Sequence, residues 1–263
     1  MDKAERAAQE LMDARLNRKR IPALSPEAQA ASVEEAYDLQ RMVRRRIGLD
    51  VGGRQIGWKI GCTNERAQAH IGIDEPFYGG IFEHSTWQSP AEVDASNFFM
   101  TVIEAEIGFL MGDDLPAAAA PYDPSSVADA VKAALPCIEI VDSRYEDWTT
   151  IGATHIIADN GSHGGWVHGA PVADWREIDL SELDVTLSAN GRTVREGNGF
   201  AVMGNPVNAL TWIANVRAVY ARDGLKAGDF VSTGTTIDVY PAKAGETITA
   251  DFGPLGSVEV WIV

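Results

Sequence analysis

Residues 102–110 read VIEAEIGFL, an apolar run that is interrupted by two glutamates, Glu104 and Glu106. In a β-strand, successive side chains point to opposite faces, so this spacing places both carboxylates on one face. In a helix they would lie about 200° apart and could not act together. Glutamate is uncommon in strands, and such apolar flanks indicate burial on at least one side. The run therefore predicts a strand that carries a pair of carboxylates on one face.

A second apolar run, PCIEIVD at residues 136–142, is interrupted in the same way by Glu139. Buried carboxylates are costly and repel one another, so basic side chains or a divalent cation must balance them. Three carboxylates without accompanying cysteines or clustered histidines suit a hard cation such as Mg²⁺ or Mn²⁺. The alternative is that Glu104 and Glu106 line the solvent face of an amphipathic strand, and the pattern alone leaves both interpretations open.

The rest of the chain predicts an α+β fold. Its first fifty residues have helical periodicity, and Ser32 and Glu35 form a capping-box signature. Further helices are predicted at residues 125–135 and at 206–221, the second with Asn205 as its N-cap. Short apolar runs that end in glycine, proline, asparagine or aspartate predict additional strands at 54–60, 183–189, 229–233, 247–252 and 257–263.

These strands outnumber the helices and do not alternate regularly with them. The pattern favours a mixed or antiparallel sheet over a doubly wound parallel sheet. From residue 51 glycines become frequent and apolar runs become short, which suggests one domain boundary, near residue 50. We therefore divide the chain into a helical N-terminal region, 1–50, and a β-rich catalytic domain, 51–263.

Composition narrows the class of protein. The chain has 263 residues, of which 45% are hydrophobic and 23% charged, and a formal net charge of −16. A field of that sign disfavours nucleic acid and anionic membrane surfaces as partners. The two cysteines, Cys62 and Cys137, cannot build a disulfide scaffold, and the N-terminus is too charged for a secretory signal. We expect a soluble cytoplasmic protein.

Three polar features lie outside the carboxylate strands. Lys59, inside the strand GWKIG, could have a lowered pKa and move protons, could bind a carboxylate, or could extend its amine to water. The loop 158–165 could bind an anion or simply turn, and within it we interpret His163 as a loop residue. Hydroxyl groups at 232–235 end a strand, where a substrate carboxylate often binds, or form an ordinary turn.

Taken in order, several segments resemble one family. They are GWKIGCTN, EPFYGGIF, IEAEIGFLMGDDLP, PCIEIVDSRYEDW, IADNGS, GNPVNALTWIAN, LKAGDFVSTG and ADFGPLGSVEV. This order resembles the 2-keto-4-pentenoate hydratase / 4-oxalocrotonate decarboxylase family of the fumarylacetoacetase superfamily, and it covers nearly the whole chain. The resemblance implies a mixed β-rich fold with a helical N-terminal part, a small-molecule substrate and a homo-oligomer.

The resemblance also implies a set of site residues. Mg²⁺ or Mn²⁺ would be held by Glu104, Glu106 and Glu139, with Lys59 beside the metal as a catalytic residue. The loop that contains Asp159, Asn160 and Ser162 would lie by the substrate, with Ser162 in a catalytic role. The turn that contains Thr233 and Thr235 would bind the substrate as well.

The implied activity is a metal-dependent hydratase that adds water to a 2-hydroxy-2,4-dienoate or 2-oxo-enoate and gives a 4-hydroxy-2-oxo acid in aromatic catabolism. The alternatives are a 4-oxalocrotonate-type decarboxylase and an acylpyruvate C–C hydrolase. Phe77 stands where hydratases of the family typically carry aspartate, and the decarboxylases tend to be apolar there. The pair Asp147-Trp148, in contrast, looks more like the hydratases. Glu75 is our candidate for the missing catalytic carboxylate.

Overall fold

The computed structural model describes residues 2–263. Its helices are α1 (Lys3–Leu16), α2 (Val33–Arg46), α3 (Glu65–Ile71), α4 (Pro124–Asp129), α5 (Ala153–Ala158) and α6 (Pro206–Tyr220). Its strands are β1 (Gln55–Gly61), β2 (Phe77–Phe82), β3 (Thr86–Gln88), β4 (Ala91–Val93), β5 (Val102–Met111), β6 (Val131–Val141), β7 (His163–His168), β8 (Asp184–Ala189), β9 (Arg192–Asn198), β10 (Phe230–Thr235), β11 (Tyr240–Pro241), β12 (Thr247–Asp251) and β13 (Ser257–Ile262). Among the described helices, none is long and apolar enough to cross a membrane.

The strands form two mixed sheets. The larger has the order β2-β1-β10-β5-β6-β7-β3, and β11 pairs with β5 off this path. In it β1 pairs with β10, and β3 with β7, in parallel, whereas the other pairings are antiparallel. The smaller sheet has the order β4-β13-β12-β8-β9. The predicted α+β class with a mixed sheet is confirmed.

Alternation along β5 separates the core from the carboxylate face. Ile103, Ala105 and Ile107 are fully buried in the main hydrophobic core, which also contains residues of the smaller sheet and of α6. Glu104 and Glu106 therefore point to the opposite side of the larger sheet. Burial of one face by packing thus fixes the direction of both carboxylates.

The N-terminal helices build a second hydrophobic cluster. Leu11 of α1 and Leu39 of α2 pack there with Phe82, Tyr145 and Ala158, which come from the β-rich part of the chain. The hydroxyl of Ser32 accepts a hydrogen bond from the Glu35 amide at the start of α2. Helical residues thus support the loops next to β2 and β6, and the domain division at residue 50 stays a prediction.

One predicted helix is wrong in its second half. Residues 125–135 were expected to be helical, but α4 ends at Asp129 and β6 begins at Val131. Ala133 pairs with Leu110 of β5, and Leu135 pairs with Gly108. Pairing and burial here outweigh the helix propensity of alanine and leucine, which is a weak local preference.

Candidate metal centre and active site

Three carboxylates meet where β5 lies beside β6. Glu104 is directly opposite Glu139 in the register of the two strands, and Glu106 follows on the same face. One oxygen from each of the three residues lies within 4.8 Å of the others. Glu106 and Glu139 are fully buried, and Glu104 is partly exposed to a cavity. The carboxylates therefore do not line a solvent face.

Crowding makes these groups hard to ionise without a cation. Burial, reinforced by the charge of Glu139, raises the pKa of Glu104 to about 7. Burial and the charges of Glu139 and Glu104 also raise the pKa of Glu106 well above its ordinary value. Oε1 of Glu106 is buried and has no hydrogen-bond partner within residues 2–263. An all-oxygen donor set with such an unpartnered atom fits Mg²⁺ or Mn²⁺.

Lys59 is the counter-charge of the cluster. Its Nζ lies 3.3 Å from Oε2 of Glu139, and its side chain is almost fully buried. Burial alone would lower the pKa of Lys59, but the surrounding glutamates outweigh that effect and raise it. The amine is thus an ammonium at neutral pH. The alternatives of a lowered pKa and of an amine that reaches water are both wrong.

His163 was missed as a neighbour of the carboxylates. It is the first residue of β7, and its Nδ1 lies 2.9 Å from Oε1 of Glu139. Burial lowers the pKa of His163 although the bond to Glu139 opposes this shift, so the ring is neutral and Nδ1–H donates to the carboxylate. The interpretation as a loop residue is wrong. No second histidine or motif in the sequence indicates this contact, which depends on how β7 pairs with β6.

A cavity of about 760 Å³ opens over the cluster. Lys59, Glu104, Phe77, Ser162 and Thr235 are among the residues that line it. The Oγ of Ser162 is buried and has no hydrogen-bond partner in the described chain. The hydroxyl of Thr235 donates to a backbone carbonyl, and the Phe77 ring centre lies 5.3 Å from Nζ of Lys59. The structure thus brings Ser162 and Thr235 to the same cavity as the lysine.

Two residues of the predicted substrate loop point elsewhere. Asp159 is buried, and its carboxylate accepts from Nε of Arg144 at 2.8 Å. The Asn160 amide accepts from the Gly80 amide at 2.7 Å and donates to the Gly80 carbonyl at 2.9 Å. Neither residue lines the cavity. Their polar groups bind the loop to neighbouring elements and hold Ser162 and His163 in place.

Thr233 and Glu75 are not brought to the cavity either. The hydroxyl of Thr233 donates to the Ile107 carbonyl at 2.7 Å, on the core face of β10. Glu75 accepts from the Tyr220 hydroxyl of α6 at 3.1 Å. Because Glu75 does not line the cavity that contains Lys59, the structure does not replace the missing carboxylate at Phe77 with Glu75.

Comparison with known proteins gives consistent results. The sequence profile of the family described as fumarylacetoacetate (FAA) hydrolase C-terminal matches residues 76–263. A 2-keto-4-pentenoate hydratase of Paraburkholderia xenovorans is 34% identical over 97% of this chain and 93% of its own length. A 4-oxalocrotonate decarboxylase of a Pseudomonas species is 31% identical over 97% of this chain and 96% of its own.

A solved structure matches over nearly the same range. The 4-oxalocrotonate decarboxylase of Pseudomonas putida G7, complexed with magnesium and adipate, superposes with a TM-score of 0.90 at 29% identity. The match covers 98% of this chain and 96% of that one. Fold, cluster and sequence agree: the chain belongs to the fumarylacetoacetate hydrolase superfamily, in the group of the 2-keto-4-pentenoate hydratases and 4-oxalocrotonate decarboxylases.

Proposed function

We propose that the chain is a Mg²⁺- or Mn²⁺-dependent hydratase with Glu104, Glu106 and Glu139 as metal ligands. It adds water to a 2-hydroxy-2,4-dienoate, by way of the 2-oxo-enoate, and gives a 4-hydroxy-2-oxo acid in aromatic-compound catabolism. One observation carries the proposal: a buried ammonium, Lys59, lies 3.3 Å from a three-carboxylate cluster on the wall of a cavity. The similarity to enzymes named as hydratases over 97% of the chain supports it.

The bound cation would polarise the 2-oxo group of the substrate and stabilise negative charge on that oxygen. The charges of Glu139, Glu104 and Glu106 outweigh burial and raise the pKa of Lys59, which favours its charged form. Its Nζ can therefore attract the substrate carboxylate or donate a proton to a substrate carbon. Ser162 offers a hydroxyl that has no hydrogen-bond partner within residues 2–263 and can orient the substrate or the attacking water.

The reaction moves protons twice. The dienol first loses its O2 proton and gains one at C5, which leaves a 2-oxo acid with a double bond between C3 and C4. The oxygen of water then bonds to C4, and a proton is added at C3. Lys59 is the cavity-lining cation that pairs with the carboxylate cluster, and it can hold a proton for these transfers.

A decarboxylase is the second candidate, because a specific observation favours it. The ring of Phe77 occupies the wall beside Lys59, and Glu75 points to Tyr220 instead. An apolar wall next to the lysine resembles the decarboxylases more than the hydratases. In that reaction the 2-oxo group would accept the electrons that a departing carboxylate leaves as CO₂.

The test is the ultraviolet absorbance of freshly made 2-hydroxypenta-2,4-dienoate with the protein, first with Mg²⁺ and then with EDTA. Metal-dependent decay to 4-hydroxy-2-oxopentanoate is the expected result. Glu106→Gln should reduce the rate by more than about 100-fold, since even the loss of a group behind a metal ligand costs 10–100-fold. Glu92→Gln, an exposed glutamate of β4, is the matched control.

Two other outcomes would overturn the hydratase. Absence of decay, together with CO₂ release from 4-oxalocrotonate, would assign the decarboxylase. Formation of two carboxylic acids from an acylpyruvate would assign the C–C hydrolase.

We propose further that the substrate is a small molecule, that the protein is a homo-oligomer and that it is cytoplasmic. The named enzyme relatives support the first of these statements. Light scattering on the purified chain would test the second, and cell fractionation the third.

A further inference from the structure

A buried serine lies behind the carboxylate cluster. Ser232 of β10 is opposite Gly108 of β5, on the same sheet face as Glu106. It has no exposed surface, and its hydroxyl donates to Oε2 of Glu106. Ser232 therefore contacts the outer oxygen of a proposed metal ligand without reaching the cavity itself.

The direction of that hydrogen bond is fixed by Trp166. The indole Nε1–H, which can only donate, lies 3.0 Å from the Ser232 hydroxyl oxygen. Sγ of Cys137 is 3.3 Å from the same oxygen and 3.2 Å from the backbone carbonyl of Glu106. A carboxylate is a much stronger acceptor than a thiol sulfur, so the single proton of Ser232 goes to Glu106.

This contact gives the two carboxylate oxygens of Glu106 different roles. Oε2 is engaged by Ser232, and Oε1 is the buried oxygen that lacks a partner in the described chain. A side chain fixed at one oxygen loses little further freedom when the other binds a cation. Partners of this kind behind a metal ligand commonly contribute 10–100-fold to metal affinity.

We propose that Ser232, held by Trp166, is a positioning residue that orients Glu106 so that Oε1 faces the divalent cation. The inference rests on the proposed metal site, which it deepens. Ser232 does not contact the metal or the substrate; it acts only through Glu106.

The test uses Mn²⁺, whose binding can be followed directly by electron paramagnetic resonance. Ser232→Ala should weaken Mn²⁺ binding about 10–100-fold. Ser232→Cys, with a weaker donor of similar size, should give a smaller loss and also serves if the alanine variant does not fold. Trp166→Phe should reduce affinity as well, because the hydroxyl loses the donor that directs it.

Thr236→Val is the matched control. Thr236 is also buried, and its hydroxyl donates to the Ala105 carbonyl of β5 at 2.8 Å, on the other side of that strand from Glu106. Its loss should leave Mn²⁺ affinity within about threefold of the unmodified protein. Melting temperatures in EDTA separate a loss of folding from a loss of metal.

Three results would decide against the inference. Unchanged Mn²⁺ affinity in folded Ser232→Ala overturns it and leaves the metal site intact. An equal loss in Thr236→Val overturns it too, because any buried hydroxyl of this segment would then have the same effect. No Mn²⁺ binding by the unmodified protein overturns the proposed function together with the inference.

Discussion

The carboxylate cluster should release protons when a divalent cation binds. Lowering the pH from 8 to 6 protonates Glu104, whose pKa burial raises to about 7, and burial shifts the pKa of Glu106 in the same direction. A divalent cation must displace these protons to bind. Apparent Mg²⁺ affinity should therefore fall about tenfold across this interval from Glu104 alone, and further if Glu106 also releases a proton.

The raised pKa of Glu104 also makes the stability of the metal-free protein depend on pH. The folded-state pKa of Glu104 is raised from 4.5 to about 7, so the unfolded chain releases this proton at a lower pH than the folded one. The corresponding stability is present below pH 4.5 and is lost as the pH rises through 7. The loss amounts to about 3 kcal/mol, because one pKa unit corresponds to 1.36 kcal/mol.

Isothermal titration in two buffers of different ionisation enthalpy counts the protons released on Mg²⁺ binding. Melting curves in EDTA measure the stability change in parallel. Glu104→Gln should be more stable than the unmodified metal-free protein at pH 8 and nearly equal to it at pH 5, whereas Glu92→Gln should follow the unmodified protein. Equal Mg²⁺ affinity at pH 6 and pH 8, with no proton released, would refute the reasoning.

Three further substitutions address the cavity wall and the loop behind it. Phe77→Asp places a carboxylate beside Lys59 and should shift the ratio of hydration to decarboxylation at least tenfold toward hydration. The two rates are measured with both substrates, and an unchanged ratio would show that residue 77 does not determine which reaction occurs. Arg144→Met removes the close ion pair of the buried Asp159 carboxylate and leaves only Arg15, at 3.9 Å, as a cationic partner within residues 2–263. It should cost about 3–5 kcal/mol in urea unfolding, and a loss below about 1 kcal/mol would contradict this reasoning. Asn160→Ala removes both hydrogen bonds to Gly80 and should lower the free energy of unfolding by about 2 kcal/mol. It should also lower kcat while Mn²⁺ affinity stays unchanged. A matching loss of Mn²⁺ affinity would place Asn160 closer to the metal than its contacts indicate.

The carboxylate face could be predicted because its signal is local. Alternation along residues 102–110 fixes which side chains share a face, and burial of Ile103 and Ile107 follows from their apolar character. Glu104 lies opposite Glu139 because of the register of β5 and β6, and no local sequence pattern indicates that register. The cost of buried charge alone leaves a shared site and a solvent face both open, and only the family resemblance implies that Glu139 joins Glu104 and Glu106.

The groups around the cluster could not be predicted in this way. A short polar loop gives no indication of which side chains face a ligand and which hold the loop. Asp159 is turned inward by Arg144, and His163 is brought to Glu139 by an irregular pairing of β6 with β7. Ser232 looked like one hydroxyl of a turn, and only the position of Trp166 gives it a direction. Each of these contacts joins residues that lie far apart in the sequence, so no local pattern indicates it.

Phe77 is part of a wall that several positions share. A Cβ on Gly61 would lie 2.5 Å from the Phe77 ring, and one on Gly161 would lie 3.2 Å from it. Gly161 also has a φ of +64°, which a larger residue would adopt only with strain. Both glycines leave room for the ring, so its replacement by aspartate would open space as well as add charge. Because the proposed metal ligands would serve either reaction, we expect the choice between water addition and loss of CO₂ to depend on this wall rather than on the metal site.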